Sequence, residues 1–165
     1  MAIKDGLLPE FDHEMAVTRK VIERVDNTQF GWQPHEKSMT LGRLATHVAE
    51  IPMWGVTILD QPEFNMVAGD YKPTVCTTVA EILALFDGQT AKIRALLDTK
   101  TDAELMSIWA FKSDGKELFS MPRVAAWRGW VMNHLIHHRG QLSVYLRLTG
   151  SKVPSIYGPS GDEAS

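Results

Sequence analysis

The sequence predicts an all-α fold, a four-helix bundle with a small β-hairpin before its last helix, and three observations carry that prediction. Four long segments repeat apolar residues at the three- and four-residue spacing that gathers them on one side of a helix. Stretches rich in Gly, Pro and polar residues separate them. Only residues 108–119 read as paired strands, which is enough for an edge hairpin and too little for a larger sheet. The whole chain, residues 1–165, reads as a single domain with a tail over 155–165, because its length suits one core and no repeat or linker divides it.

The first helix is predicted over residues 8–28. Pro9 suits a first turn, where a missing N–H costs little, and Phe11, Met15, Thr18, Ile22 and Val25 recur at helical spacing. Gly31 and Pro34 then break the pattern. Thr40 caps a second helix over 41–59, with the stripe Leu41, Leu44, Ala45, Val48 and Ile51. Pro52 lies inside it and removes a backbone donor, so a kink or early stop is expected there. Residues 60–73 read as loop.

A third helix covers 77–99, opened by a Thr78–Glu81 capping box. Its inward residues are Ile82, Leu85, Phe86, Ile93, Leu96 and Leu97, and Gly88 is its weak point. Thr101–Glu104 repeats the box and starts a short helix. Asp114-Gly115 supplies the tight turn of the hairpin. Ser120 with Pro122 opens the fourth helix, which runs to Thr149 and ends at Gly150. Val153, Ile156 and Tyr157 give the tail a side that can pack.

Composition narrows the function classes. The formal net charge is −3 and no basic stripe is present, so no nucleic-acid partner is expected. No stretch has the length and apolarity of a membrane span, and MAIKDGLLPEF lacks the apolar run of a signal peptide, so no membrane association is expected either. Cys76 is the one cysteine, which rules out an intramolecular disulfide or a zinc site of several thiolates. A reducing, cytoplasmic compartment is the expectation.

The chemistry concentrates in NHLIHHRGQL, residues 133–142, where three of the six histidines fall within five positions. On a wheel of about 100° per residue, Leu135, Leu142 and Leu146 mark the core direction, with Val131 close by. His134 and His138 are four apart and about 40° from each other, flanking that stripe together with Trp127, Gln141 and Tyr145. His137 points about 80° from the middle of the pair, and Arg139 farther still. Two imidazoles at this spacing make a bidentate metal platform, and a catalytic site wants a third ligand and an open position. His47, beside the stripe of Leu44, Val48 and Ile51, is the best third ligand, since bundle interiors are where such edges meet.

Neutral imidazoles suit Zn²⁺ or Ni²⁺, with Fe²⁺ or Cu²⁺ also compatible, rather than Mg²⁺ or Ca²⁺. The same histidines can instead serve as hydrogen-bonded core or interface residues. A zincin helix would need Glu where Leu135 stands, and a di-iron site would need more Glu-x-x-His motifs than Glu10–His13 supplies. His13 reads as a helix-surface residue and His35 as a loop residue.

The blocks PHEKSMTLGRLATHVAEIPMW, WVMNHLIHHRGQLSVYLRLTG and VPSIYGPSGDE, in this order, resemble the DinB-like (DinB/YfiT) superfamily of metal-dependent four-helix-bundle proteins. The likeness covers most of the chain between Phe11 and Glu163. It implies an up-down-down-up bundle, often a homodimer, and a metal held by one histidine of the second helix and two of the last: His47, His134 and His138. It leaves the chemistry open. Some relatives transfer low-molecular-weight thiols, so the expectation is a metal-dependent enzyme acting on a small molecule, with water or a thiol cosubstrate at the open position, in a thiol S-transferase-like or hydrolase-like reaction. A non-catalytic metal-binding, stress-response bundle is the alternative; it predicts a closed coordination sphere and no adjacent pocket. Glu50 and Gln141 are the weak candidates for a base or an orienting partner, although the sequence favours a solvated helix glutamate for Glu50. Ile136, Gly140 and Val144 lie off the core direction on the last helix and suit a homodimer contact or packing within the chain.

Overall fold

The computed structural model describes residues 1–164. Helix α1 spans Ile3–Ile22, beginning before the predicted residue 8, so Pro9 sits inside the helix rather than in its first turn. Tertiary contacts explain the difference. Ile3, Leu7 and Leu8 pack on the core, and the Asp102 carboxylate accepts the Ile3 N–H at 2.7 Å, which holds the early turns in place despite the proline. The helix also stops sooner, and a 3₁₀ turn follows at Asn27–Gln29 with the Asp26 side chain as its cap.

Thr40 caps α2, Leu41–Glu50, by accepting the Arg43 N–H. The break expected at Pro52 occurs there: α3, Met53–Asp60, continues in a separate segment. Its last carbonyls are taken by the Arg123 guanidinium, which donates to Ile58 and Gln61. Helix α4, Val79–Asp98, and the short α5, Asp102–Met106, both start at threonine caps. In α5 the predicted box is complete; in α4 the Glu81 carboxylate reaches back to the N–H of Thr77 rather than that of Thr78.

The last long helical segment comprises α6, Arg123–Ala126, a π-helical stretch at Trp127–Asn133, and α7, His134–Leu148. It ends at Gly150, whose φ of 79° is the left-handed stop the sequence called for. Ser120 is not its cap. That residue pairs with Ala110 in a strand that runs through Pro122. In the π stretch each turn holds more residues, so positions three apart diverge further than on an α-helix. Trp127 turns into the core against Phe11, while Trp130 turns toward the sheet.

The hairpin forms as predicted from β2, Ile108–Ser113, and β3, Lys116–Pro122, joined at Asp114 and Gly115, both with positive φ. The sheet nevertheless has a third strand, which the sequence reading excluded. Residues expected to be loop form β1, Glu63–Met66, parallel to β2. Its pairing comes from a distant segment with no local turn to announce it. Asn65 and Asp114 side chains lock it to the hairpin by accepting the N–H groups of Gly115 and Ala68.

The core joins Phe11 and Ile22 of α1, Leu41, Leu44 and Val48 of α2, Ile82, Phe86, Ile93 and Leu97 of α4, and Leu135, Leu142 and Leu146 of α7. Leu85 and Leu96 are only partly buried. Arg139, which the wheel put far from the histidine pair, is 1% exposed. Helix α7 packs on α1 as well as α2, so the direction away from the histidines is a second interior. There Arg139 pairs with Glu14 at 2.7 Å and donates to Thr18 and to the Tyr157 hydroxyl, which in turn donates to Glu14. This network fastens the tail to the bundle.

Two glycines give opposite expected outcomes. A Cβ at Gly55 would stand 2.9 Å from the Trp127 ring and 3.1 Å from Ile93. Gly55→Ala should therefore lower the stability read by chemical denaturation by about 1–3 kcal/mol. Gly88 in α4 has open space around it. Gly88→Ala should raise stability by up to about 1 kcal/mol in the same measurement.

Candidate metal centre

Packing of α2 on α7 brings together three of the six histidines. Each of His47, His134 and His138 offers a ring nitrogen within 4.8 Å of the others. His47 Nε2 and His134 Nε2 are 3.4 Å apart. Two nitrogens on one tetrahedral ion at about 2.0–2.1 Å stand roughly this far apart. His137 is exposed beside His138 and is not one of the three; His13 and His35 are exposed elsewhere.

The outer face of each ring meets a polar group, although His47 makes no hydrogen bond there. His138 Nδ1 meets Gln141 Oε1 at 2.7 Å. The Trp130 backbone in the π-helical stretch lies against His134 and favours its protonated form. His47 Nδ1 lies 3.6 Å from the Glu50 carboxylate and has no other partner. A carboxylate, a carbonyl and an amide oxygen behind the three rings are the partners that orient metal-ligating histidines. Burial, reinforced by the His138 and His47 rings, lowers His134 to about 4, and burial also lowers His138. Both rings are thus neutral near pH 7, with lone pairs free to ligate. The residues present fit a divalent transition metal.

Glu50 departs from the solvated glutamate expected of it: it is 5% exposed. Burial alone would raise its carboxyl, but His47, Arg43 and the Thr74 amide outweigh burial and hold it at about 2. Arg43 donates to it at 2.7 Å and also to the Tyr71 hydroxyl, while the Thr74 N–H donates at 2.5 Å. One carboxylate therefore ties a histidine of the triad to the segment that follows β1. Spacing held part of this signal, since Arg43, His47 and Glu50 sit at helical intervals on one face of α2.

Sequence reasoning missed the space beside the triad. A cavity of about 620 Å³ opens there, with His47, His134 and Glu50 on one side. Trp54 of α3, Phe64 of β1 and Trp130 of the π stretch line the rest, with Met53 and Met66. The Trp54 ring lies edge-on to Phe64 at 5.1 Å and to Trp130 at 5.5 Å. Phe111 backs the group at 4.7 Å from Trp130. Trp54 and Phe64 carry no helical or strand pattern of their own that points at a cavity; only the parallel pairing of β1 unites them.

Comparisons with known proteins agree with this architecture. The model of the DinB family matches residues 3–165. A protein described as uncharacterized, YrdA of Bacillus subtilis (strain 168), is 29% identical over 161 residues, covering 96% of this chain and 90% of YrdA. The crystal structure of a DinB-like protein from Bacillus cereus ATCC 10987 superposes with a TM-score of 0.70 at 24% identity, over 94% of this chain and 98% of that one. YfiT from Bacillus subtilis, described as a probable metal-dependent hydrolase with an unusual four-helix bundle topology, superposes with a TM-score of 0.65 at 18% identity, over 90% of this chain and 89% of YfiT.

Glu50→Ala removes the acceptor of the Thr74 amide. Hydrogen bonds to charged groups contribute about 1.5–3 kcal/mol, so exchange of that amide should accelerate about tenfold or more. Measured by NMR or mass spectrometry, amides in the middle of α4 should keep their protection.

Proposed function

The chain belongs to the DinB family, and from there we propose that it is a divalent-metal-dependent enzyme acting on a small molecule. His47, His134 and His138 hold the ion, with Zn²⁺ or Ni²⁺ the expected metals and Fe²⁺ compatible with the same ligands. The observation that carries the reading is the convergence of three imidazoles, one of them held from behind by Gln141, beside a cavity that two of them line. When bound, such an ion lowers the pKa of an adjacent water or thiol and supplies a nucleophile near neutral pH. Gln141 holds the His138 ring in one orientation, and Glu50 faces the outer nitrogen of His47. The aromatic walls limit the water that reaches the rings.

Hydrolysis comes first because the structural relative YfiT carries that description. Transfer to a low-molecular-weight thiol uses the same position and differs only in the nucleophile. A purely stabilising ion would call for a closed coordination sphere without a neighbouring pocket, and the cavity of about 620 Å³ supports the enzymatic reading instead. A homodimer remains part of the proposal; the exposed Val144 and Leu148 on α7 support it.

Protein purified without an affinity tag should carry close to one equivalent of transition metal by elemental analysis. His47→Ala, His134→Ala and His138→Ala should each abolish retention, and His137→Ala should not. Gln141→Ala should weaken metal affinity by about 10–100-fold. Metal-loaded protein should turn over an activated ester, or conjugate glutathione or bacillithiol to an electrophile. The chelated protein and His47→Ala should do neither.

A further inference from the structure

Building on the metal reading above, we propose that the cavity selects a small ligand with an aromatic body and one polar head group, the body held by Trp54, Phe64 and Trp130 and the head directed at the histidines. Its volume of about 620 Å³ lies within the range of drug-sized sites. The three rings come from α3, β1 and the π-helical stretch, and each is only partly buried, so an aromatic surface is left facing the space. They already pack edge-on to one another, and a further ring entering beside them meets the same edge and face preferences. Met53 and Met66 complete the wall with flexible side chains that adapt to the outline of a ligand.

The polar lining includes Asn65, Asp70, Lys72 and Thr74 besides His47, His134 and Glu50; the two imidazoles are the groups that would present a metal, and they fix where a ligating head group goes. Among the lining residues Lys72 is the one lysine or arginine, while Asp70 and Glu50 are acidic. Arg43 donates through one nitrogen to the Glu50 carboxylate and to Tyr71 and is not among the lining residues. A phosphate or polycarboxylate ligand would need a cluster of cations that this lining does not offer. A neutral or singly charged molecule with a ring suits it.

The test titrates Zn²⁺-loaded protein with benzohydroxamate and acetohydroxamate by calorimetry, and metal-free protein with benzamide by ligand-observed NMR. Benzohydroxamate should bind at least tenfold tighter than acetohydroxamate, and benzamide should bind weakly without metal. Phe64→Ala and Met53→Ala should each erode the preference for the ring while leaving acetohydroxamate affinity unchanged. Equal affinity for the two hydroxamates together with no benzamide binding overturns the aromatic-ligand proposal and leaves the metal reading standing. A ring preference that survives both substitutions also overturns it, since the ring then binds elsewhere. Failure to take up Zn²⁺ sinks the metal reading, and the benzamide arm still decides the cavity.

Discussion

Two helices far apart in the chain, α2 and α7, lie close enough that imidazole nitrogens from each stand 3.4 Å apart. Bare, those nitrogens compete for one proton at best; around a cation, all three rings are satisfied together. The geometry is maintained from behind. Gln141, the Trp130 backbone and the Glu50 carboxylate hold three rings from three directions, and each belongs to a different stretch of helix. The π-helical stretch has a direct part in this, since it supplies the Trp130 contact one turn ahead of His134 and aims the Trp130 ring at the cavity.

Two buried ionic hubs flank the bundle. Arg139 and Glu14 join α7 to α1 and, through Tyr157, to the tail. Arg43 and Glu50 join α2 to the segment after β1. Burying either pair costs desolvation that a hydrophobic pair would avoid, and neighbouring N–H and O–H groups offset part of that cost, although one Arg43 nitrogen stays without a partner. Such directional networks fix which irregular segment docks where, a task that apolar packing does poorly.

The bundle and its histidines were legible because both rest on local periodicity. Threonine caps, the Pro52 break, the Asp114-Gly115 turn and the stripe of Leu135, Leu142 and Leu146 are all written within a few residues of where they act. Convergence of His47 on the pair in α7 followed from the wheel plus the rule that core-facing edges meet. What was not legible depends on partners distant in sequence. Strand β1 exists only by pairing with β2, more than forty residues on, and no turn chemistry marks it. The ion pair of Arg139 was not legible because its partner Glu14 lies on α1, more than a hundred residues back. Glu50 looked solvated because the segment that covers it, around Thr74, carries no regular structure. Residues 3–7 fell outside the predicted helix because Pro9 reads as a first-turn residue, a signal here overridden by docking on the core.

The parallel strand β1 divides labour within the molecule. Its position is set by main-chain pairing to Ala110, Phe111, Lys112 and Ser113, and only its side chains reach the cavity. Exchanging those side chains would remodel the cavity without disturbing the helices that carry the imidazoles. On the proposed function, the metal ligands and the cavity walls can therefore diverge independently in evolution, and a shared bundle would come to serve chemically unlike guests.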